Sequence, residues 1–167
     1  PSVDSLVRGF QDVSAIPLKT FFIAGGFLFG PRAMVEEVPY DPYIYFNGEE
    51  ITYAVRLWTH GYNLYLPAEG FVWHDYHDGG HRKRHWSDLP EEFARLHNLS
   101  MQRILHLLRV EPVREYEALK DLSLYDLGFE RSLTAYEHYS GIQFHAQKFS
   151  EKAAVGEVDE SPLQVIE

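Results

Sequence analysis

The sequence predicts an α/β fold, and three stretches carry that expectation. Thr20 to Phe29 is a run rich in β-branched and aromatic residues, which reads as a buried strand. Ile51, Ala54, Val55 and Trp58 recur at i, i+3, i+4 and i+7, and Phe93, Leu96, Ile104 and Leu107 extend a second helical stripe toward Arg109. Strand and helix periods thus share one chain of 167 residues that is 45% hydrophobic, enough for a single packed core.

Taken in order, residues 1–18 show no sustained period, and the strand that follows contains Gly25-Gly26. A glycine inside a strand marks either close packing or a place where something approaches the bare backbone. Pro31 suits the first turn of a short helix over Arg32 to Val38, and Pro39-Tyr40-Asp41-Pro42 reads as a turn or extended loop. That loop runs on through Tyr43-Ile44-Tyr45-Phe46, an unusually aromatic connector. The helix through Ile51 to Trp58 is expected to start at an Asn47 cap with Glu50 at N3 and to stop at Gly61. Two short strands, Tyr62 to Leu66 and Phe71 to His74, should be joined by the turn Pro67-Ala68-Glu69-Gly70. Asp75 to Trp86 reads as a polar loop centred on Gly79-Gly80, able to act as a lid, with helix resuming at about Pro90. Shorter helices are expected near Val113 to Leu119 and Leu133 to Tyr139. Residues 1–149 therefore read as one unit and residues 150–167 as a flexible acidic tail.

Charge and composition exclude several classes. Twenty-five acidic against fifteen basic residues give a net charge of −10, the wrong sign for a general nucleic-acid binder. The absence of cysteine rules out disulfides and thiolate metal sites and suits a reducing compartment, with the cytoplasm as the expected location. The longest apolar run is far too short to span a bilayer.

Three groups of residues could carry chemistry. His74, His77, His81 and His85 cluster around Gly79-Gly80; a single ligand at a strand end, His74 oriented by Asp75 or His77, is easier to support than a zinc site of three histidines. His81-Arg82-Lys83-Arg84-His85 is a basic cluster in an acidic chain, suited to donating to a diphosphate, or else simply a solvated loop. Asn47-Gly48-Glu49-Glu50 sets two carboxylates at a helix N-terminus, where they are either dipole-stabilised capping residues or groups that bind a sugar hydroxyl and stabilise charge at an anomeric carbon.

The order of these motifs is more informative than any one of them. Ala24-Gly25-Gly26, Tyr45-Phe46-Asn47-Gly48-Glu49-Glu50-Ile51, Arg56-Leu57-Trp58-Thr59-His60-Gly61 and Val72-Trp73-His74 together resemble the polypeptide GlcNAc-transferases, glycosyltransferase family 60, which include the hydroxyproline GlcNAc-transferase of a ubiquitin-ligase adaptor. They are similar, more distantly, to the polypeptide GalNAc-transferases. The resemblance covers roughly residues 20–145. It implies the C-terminal half of a GT-A-like domain, with a mixed sheet flanked by helices and a helical C-terminal extension.

By the same resemblance His74 is the C-terminal ligand of a divalent cation, expected to be manganese, that holds the UDP diphosphate. Gly25 and Gly26 set backbone against the donor sugar, Asn47, Gly48, Glu49 and Glu50 contact donor and acceptor, and Trp73 packs beside the nucleotide. His77, Arg82, Lys83, Arg84 and His85 are candidate diphosphate contacts in a mobile loop, and Tyr43, Tyr45 and Phe46 form an aromatic platform for sugar or acceptor. The sequence contains no Asp-x-Asp, the motif that supplies the other metal ligands in such enzymes. Pro1 is accordingly expected to lie just downstream of that motif, making the chain the C-terminal part of a longer enzyme.

The expected reaction is transfer of GlcNAc from UDP-GlcNAc to a protein or glycan hydroxyl with retention of configuration, Glu49 or Glu50 positioning hydroxyls or stabilising oxocarbenium character. Two rivals are a carbohydrate- or protein-binding module that keeps the fold without catalysis, and a zinc hydrolase built on the histidine loop. The second lacks any His-Glu-x-x-His arrangement.

Overall fold

The computed structural model describes residues 16–68, residue 72 and residues 85–162, the side chain of His85 excepted. Its elements in order are β1 (Leu18–Thr20), α1 (Arg32–Glu37), α2 (Glu49–Thr59), β2 (Leu64–Leu66), α3 (His85–Asp88), α4 (Pro90–Leu107), a 3-10 turn at Leu122–Leu124, α5 (Leu133–Ser140), β3 (Ile142–Gln143), β4 (Lys148–Phe149) and α6 (Glu151–Ala154). β1 pairs antiparallel with β2, Leu18 opposite Leu66 and Thr20 opposite Leu64, and β3 pairs antiparallel with β4. Helices and short strands mix as an α/β reading requires, but among the described residues the strands form two antiparallel pairs and not the expected mixed sheet.

Helix α2 is the axis of the molecule. Thr52 through Thr59 are all buried, and the apolar ones among them serve two clusters. Val55 and Trp58 face a cluster with Phe21, Ile44, Ile104, Leu108, Tyr136 and Ala153. Tyr53, Ala54 and Leu57 face a second one with Ile23, Met34, Val38 and Leu64. Polar Thr52, Arg56 and Thr59 are buried along with the apolar residues, so α2 is enclosed on nearly all sides and sits between the two clusters. Its C-terminus is closed by Gly61 at φ 96, as expected, and the orphan carbonyl of Thr59 accepts from Glu130 and Arg131 N–H at 3.1 Å each. The α2 ring of Trp58 stacks on Tyr139 of α5 at 5.4 Å, with the Arg131 guanidinium 4.7 Å from the Trp58 ring centroid. Ser132 caps α5 by accepting the Ala135 N–H at 3.0 Å.

Several sequence expectations are corrected here. The run Thr20 to Phe29 is not one strand: β1 ends at Thr20, and Gly25-Gly26 form a tight turn closed by Phe27 N–H to Ala24 O at 3.2 Å. Phe21 and Ile23 are buried but Phe29 beyond the turn is 88% exposed, so the run has no buried face continuing along its whole length. Asn47 does not cap α2, since Gly48 occupies the N-cap at φ 89 and moves the helix start one residue on. Helix resumes at His85, ahead of Pro90, and is interrupted at Leu89. No helix forms over 113–119: residues 113–115 are irregular and 116–120 make turns, and the carbonyls of Ala118 and Lys120 accept from Arg103 Nη1 at 2.9 Å each.

Beyond Phe149, where the sequence suggests an acidic tail, most described residues are exposed, but a short helix and a few contacts tie the segment to the rest. Ser150 caps α6 by accepting the Ala153 N–H at 3.1 Å, and Ala153 is buried in the first cluster. The Asp159 N–H donates to Tyr139 O at 2.8 Å, and Glu160 pairs with Lys19. Phe71, Trp73 and His74 of the predicted strand, Glu69 and Gly70 of the turn before it and residues 75–84 of the polar loop lie outside the described residues.

Candidate functional site

The site is assembled from the Gly25-Gly26 turn, the N-terminus of α2 and the loop 39–46. Glu49 and Glu50 are the first two residues of α2, where the positive end of the helix dipole favours their charge. The Gly25 N–H donates to Glu50 Oε1 at 2.6 Å. A Cβ added to Gly25 would stand 3.3 Å from Glu50 Oε1 and 3.6 Å from Glu49 Oε1, so both carboxylates lie over the bare backbone of the turn. Burial, aided by the charge of Glu50, holds the Glu49 carboxyl above its ordinary value.

The two glycines of the turn differ from the one that caps α2. Gly48 has φ +89, and an added Cβ would overlap Ile104 Cδ1, whereas a Cβ on Gly26 meets open space. Gly48→Ala should cost about 2–4 kcal/mol, from a left-handed backbone and a core overlap together, while Gly26→Ala should stay within about 0.5 kcal/mol. Urea unfolding of both variants checks this. A loss of activity in Gly26→Ala at unchanged stability then reports on a substrate that approaches the turn.

The aromatic loop is held from beneath by two buried arginines. Arg103 of α4 pairs with Asp41, Nε to Oδ2 at 2.7 Å, both side chains out of water. Arg56 of α2 donates from Nη1 to Pro39 O at 2.8 Å. The Arg103 guanidinium lies 5.0 Å from the Tyr43 ring centroid and 5.7 Å from that of Tyr125, and Arg56 lies 5.5 Å from Tyr125. Tyr43 itself donates its hydroxyl to Asp121 at 2.6 Å, and its N–H donates to Asp41 Oδ1 at 3.0 Å.

The remaining platform residues form a row toward α3 and α4. Tyr45 packs edge-on to Phe93 at 5.9 Å, and its N–H donates to Ser100 Oγ at 2.6 Å. Phe46, at φ 63 and half exposed, lies 5.2 Å from Trp86. Asn47 is exposed beside them.

The structure thus brings together Gly25, Glu49 and Glu50, sets Gly26 beside them on the same turn, and sets Tyr45, Phe46, Asn47 and Gly48 along the segment leading into α2. Tyr43 is engaged with Asp121 and Arg103. Trp73, His74, His77, Arg82, Lys83 and Arg84 lie outside the described residues, as does the side chain of His85. Among the described residues no three His, Asp or Glu side chains converge as a metal site would need.

One residue at the site escapes sequence reasoning. Tyr40 packs edge-on to Tyr53 at 5.0 Å, and its hydroxyl is pushed up to about 12 by burial and by the charges of Glu49 and Glu50. Its only sequence signal is its place in an aromatic, proline-bounded loop.

Comparison with known proteins bears on the whole arrangement. A family model described as Glycosyltransferase (GlcNAc) matches residues 3–146, a span that includes every candidate site residue. No curated protein and no solved structure matches the chain.

Proposed function

The chain belongs to the GlcNAc glycosyltransferase family, and on that premise we propose that it transfers GlcNAc from UDP-GlcNAc to a hydroxyl of a protein or glycan, with retention, on a GT-A-type scaffold in the cytoplasm. The observation that carries this reading is the pair Glu49 and Glu50 lying over the Gly25 backbone. In such a transfer the bond from the anomeric carbon to the UDP oxygen breaks, a bond to the acceptor oxygen forms, and the acceptor hydroxyl loses its proton. Positive charge develops on the sugar ring, and two carboxylates beside a glycine turn are suited to stabilise it and to accept from sugar hydroxyls.

Roles follow from position. Gly25 and Gly26 let the donor sugar approach the backbone, Glu49 and Glu50 serve the chemistry, and Tyr45, Phe46, Asn47 and Gly48 contact sugar or acceptor. Tyr43, tied to Asp121 and Arg103, is better placed to support that platform than to stack on a ligand. For His77, Arg82, Lys83, Arg84 and His85 as diphosphate contacts, and for Trp73 beside the nucleotide, the support is the family resemblance.

Manganese dependence rests on the resemblance of His74 to the family's metal ligand, because the described residues hold no converging ligand set. A divalent cation there would neutralise charge on the departing diphosphate. Among the described residues no helix is long and apolar enough to cross a membrane.

The test is release of UDP from UDP-GlcNAc by the full-length protein, with manganese and after its removal by chelation. Activity should require metal, and His74→Ala should lower it by at least the roughly 10–100-fold that follows loss of a group merely supporting a metal ligand. A protein that neither releases nor binds UDP would instead have kept this fold for recognition of a carbohydrate or protein.

A further inference from the structure

Tyr40 is held at the carboxylate pair by constraints on both sides of it. Its neighbour Pro39 is fixed through the carbonyl that accepts from Arg56, and its neighbour Asp41 through the buried pair with Arg103. Its ring meets that of Tyr53, which is itself anchored by donating its hydroxyl to Val38 O at 2.9 Å. Tyr53 stands four residues after Glu49 and three after Glu50 on α2, so it shares their face of the helix. A ring packed on Tyr53 is therefore carried alongside the two carboxylates, whose charges act on the Tyr40 hydroxyl, and Tyr40 keeps 46% of its surface open to solvent.

The chemistry of the site asks for such a group. Carboxylates only accept hydrogen bonds, while each sugar hydroxyl both donates and accepts, so a sugar gripped by Glu49 and Glu50 still needs a donor. A lysine or arginine would supply one but would also pair with the carboxylates and weaken their effect on the ring charge. A phenol held protonated at neutral pH supplies a donor without a charge.

We infer that Tyr40 binds the transferred sugar, its hydroxyl donating to a sugar hydroxyl or carbonyl oxygen while Glu49 and Glu50 accept from the same ring. This rests on the proposed role of the carboxylate pair. It makes Tyr40 a determinant of donor affinity, not a participant in bond breaking.

Steady-state kinetics of the full-length protein with UDP-GlcNAc, for Tyr40→Phe, Tyr40→Ala, Glu50→Gln and the control Tyr116→Phe, tests it. Tyr116 is 82% exposed and its variant should match the parent. Tyr40→Phe keeps the ring and the contact with Tyr53, and should raise KM for the donor about 5–10-fold with kcat within about twofold. Tyr40→Ala should raise KM further. If both leave KM unchanged while Glu50→Gln loses activity, Tyr40 does not touch the sugar and the carboxylate reading stands. If only Tyr40→Ala raises KM, the hydrogen bond is excluded. If Glu50→Gln is as active as the parent, the carboxylate reading fails and the role of Tyr40 with it.

Discussion

Arg103→Met should destabilise the protein by about 3–5 kcal/mol, the range for removing one partner of a buried ion pair. Arg103 is fully buried, and so, nearly, is the Asp41 carboxylate it meets at 2.7 Å. Methionine replaces the volume but leaves the Asp41 carboxylate desolvated, with the Tyr43 N–H as its hydrogen-bond donor among the described residues and the charge of Arg56 nearby. It also strips the carbonyls of Ala118 and Lys120 of the donor they share, in a segment with no helix ladder to fall back on. The double variant Arg103→Met with Asp41→Asn should lose less than the sum of the two single changes, because the stranded charge is gone. Chemical denaturation at constant m-value reads both. A cost below about 1 kcal/mol for Arg103→Met would mean that the ion pair does not hold the 39–46 loop, and the account of how that loop is positioned would have to change.

The contrast between α2 and that loop shows what the sequence makes legible. Helix α2 follows from the spacing of Ile51, Ala54, Val55 and Trp58 and from Gly61, because burial and chain reversal there are local properties of the pattern. The start of α2 shifts by one residue because Gly48 alone can take the left-handed conformation that also leaves room for Ile104, a contact 56 residues away. A helix over 113–119 is locally reasonable, but the segment runs as turns, and the carbonyls of Ala118 and Lys120 at its end are fixed by Arg103, from another element. Likewise Thr20 to Phe29 has strand composition, but composition does not say whether both faces will be covered, and Phe27 to Phe29 are left at the surface. At the site, the association of Gly25 with Glu49 and Glu50 is carried by motif. Tyr40 is placed by two buried arginines, a residue type whose burial no periodicity announces.

Glu49→Gln should lower kcat by about 100- to 1,000-fold at unchanged stability, the range for loss of one preorganised group facing transition-state charge. The amide keeps the shape of the side chain and removes only its charge, so an unchanged turnover would take Glu49 out of the chemistry. Glu50→Gln should add a rise in KM, because Glu50 Oε1 also receives the Gly25 N–H and sets the turn against which the sugar rests. The pH profile separates the two roles. Glu49 is held above its ordinary value by burial first and by the charge of Glu50 second. Activity that needs the Glu49 carboxylate therefore falls as pH drops through that raised value. Removing the Glu50 charge lowers the Glu49 value, so the acid limb of kcat in Glu50→Gln should move to lower pH, and only partway, since burial remains. An acid limb that stays in place would mean that some other group titrates there. An acid limb that moves, with the residual activity of Glu50→Gln surviving at lower pH than the parent's, would identify Glu49 as the ionised group the reaction needs and Glu50 as the neighbour that sets its charge.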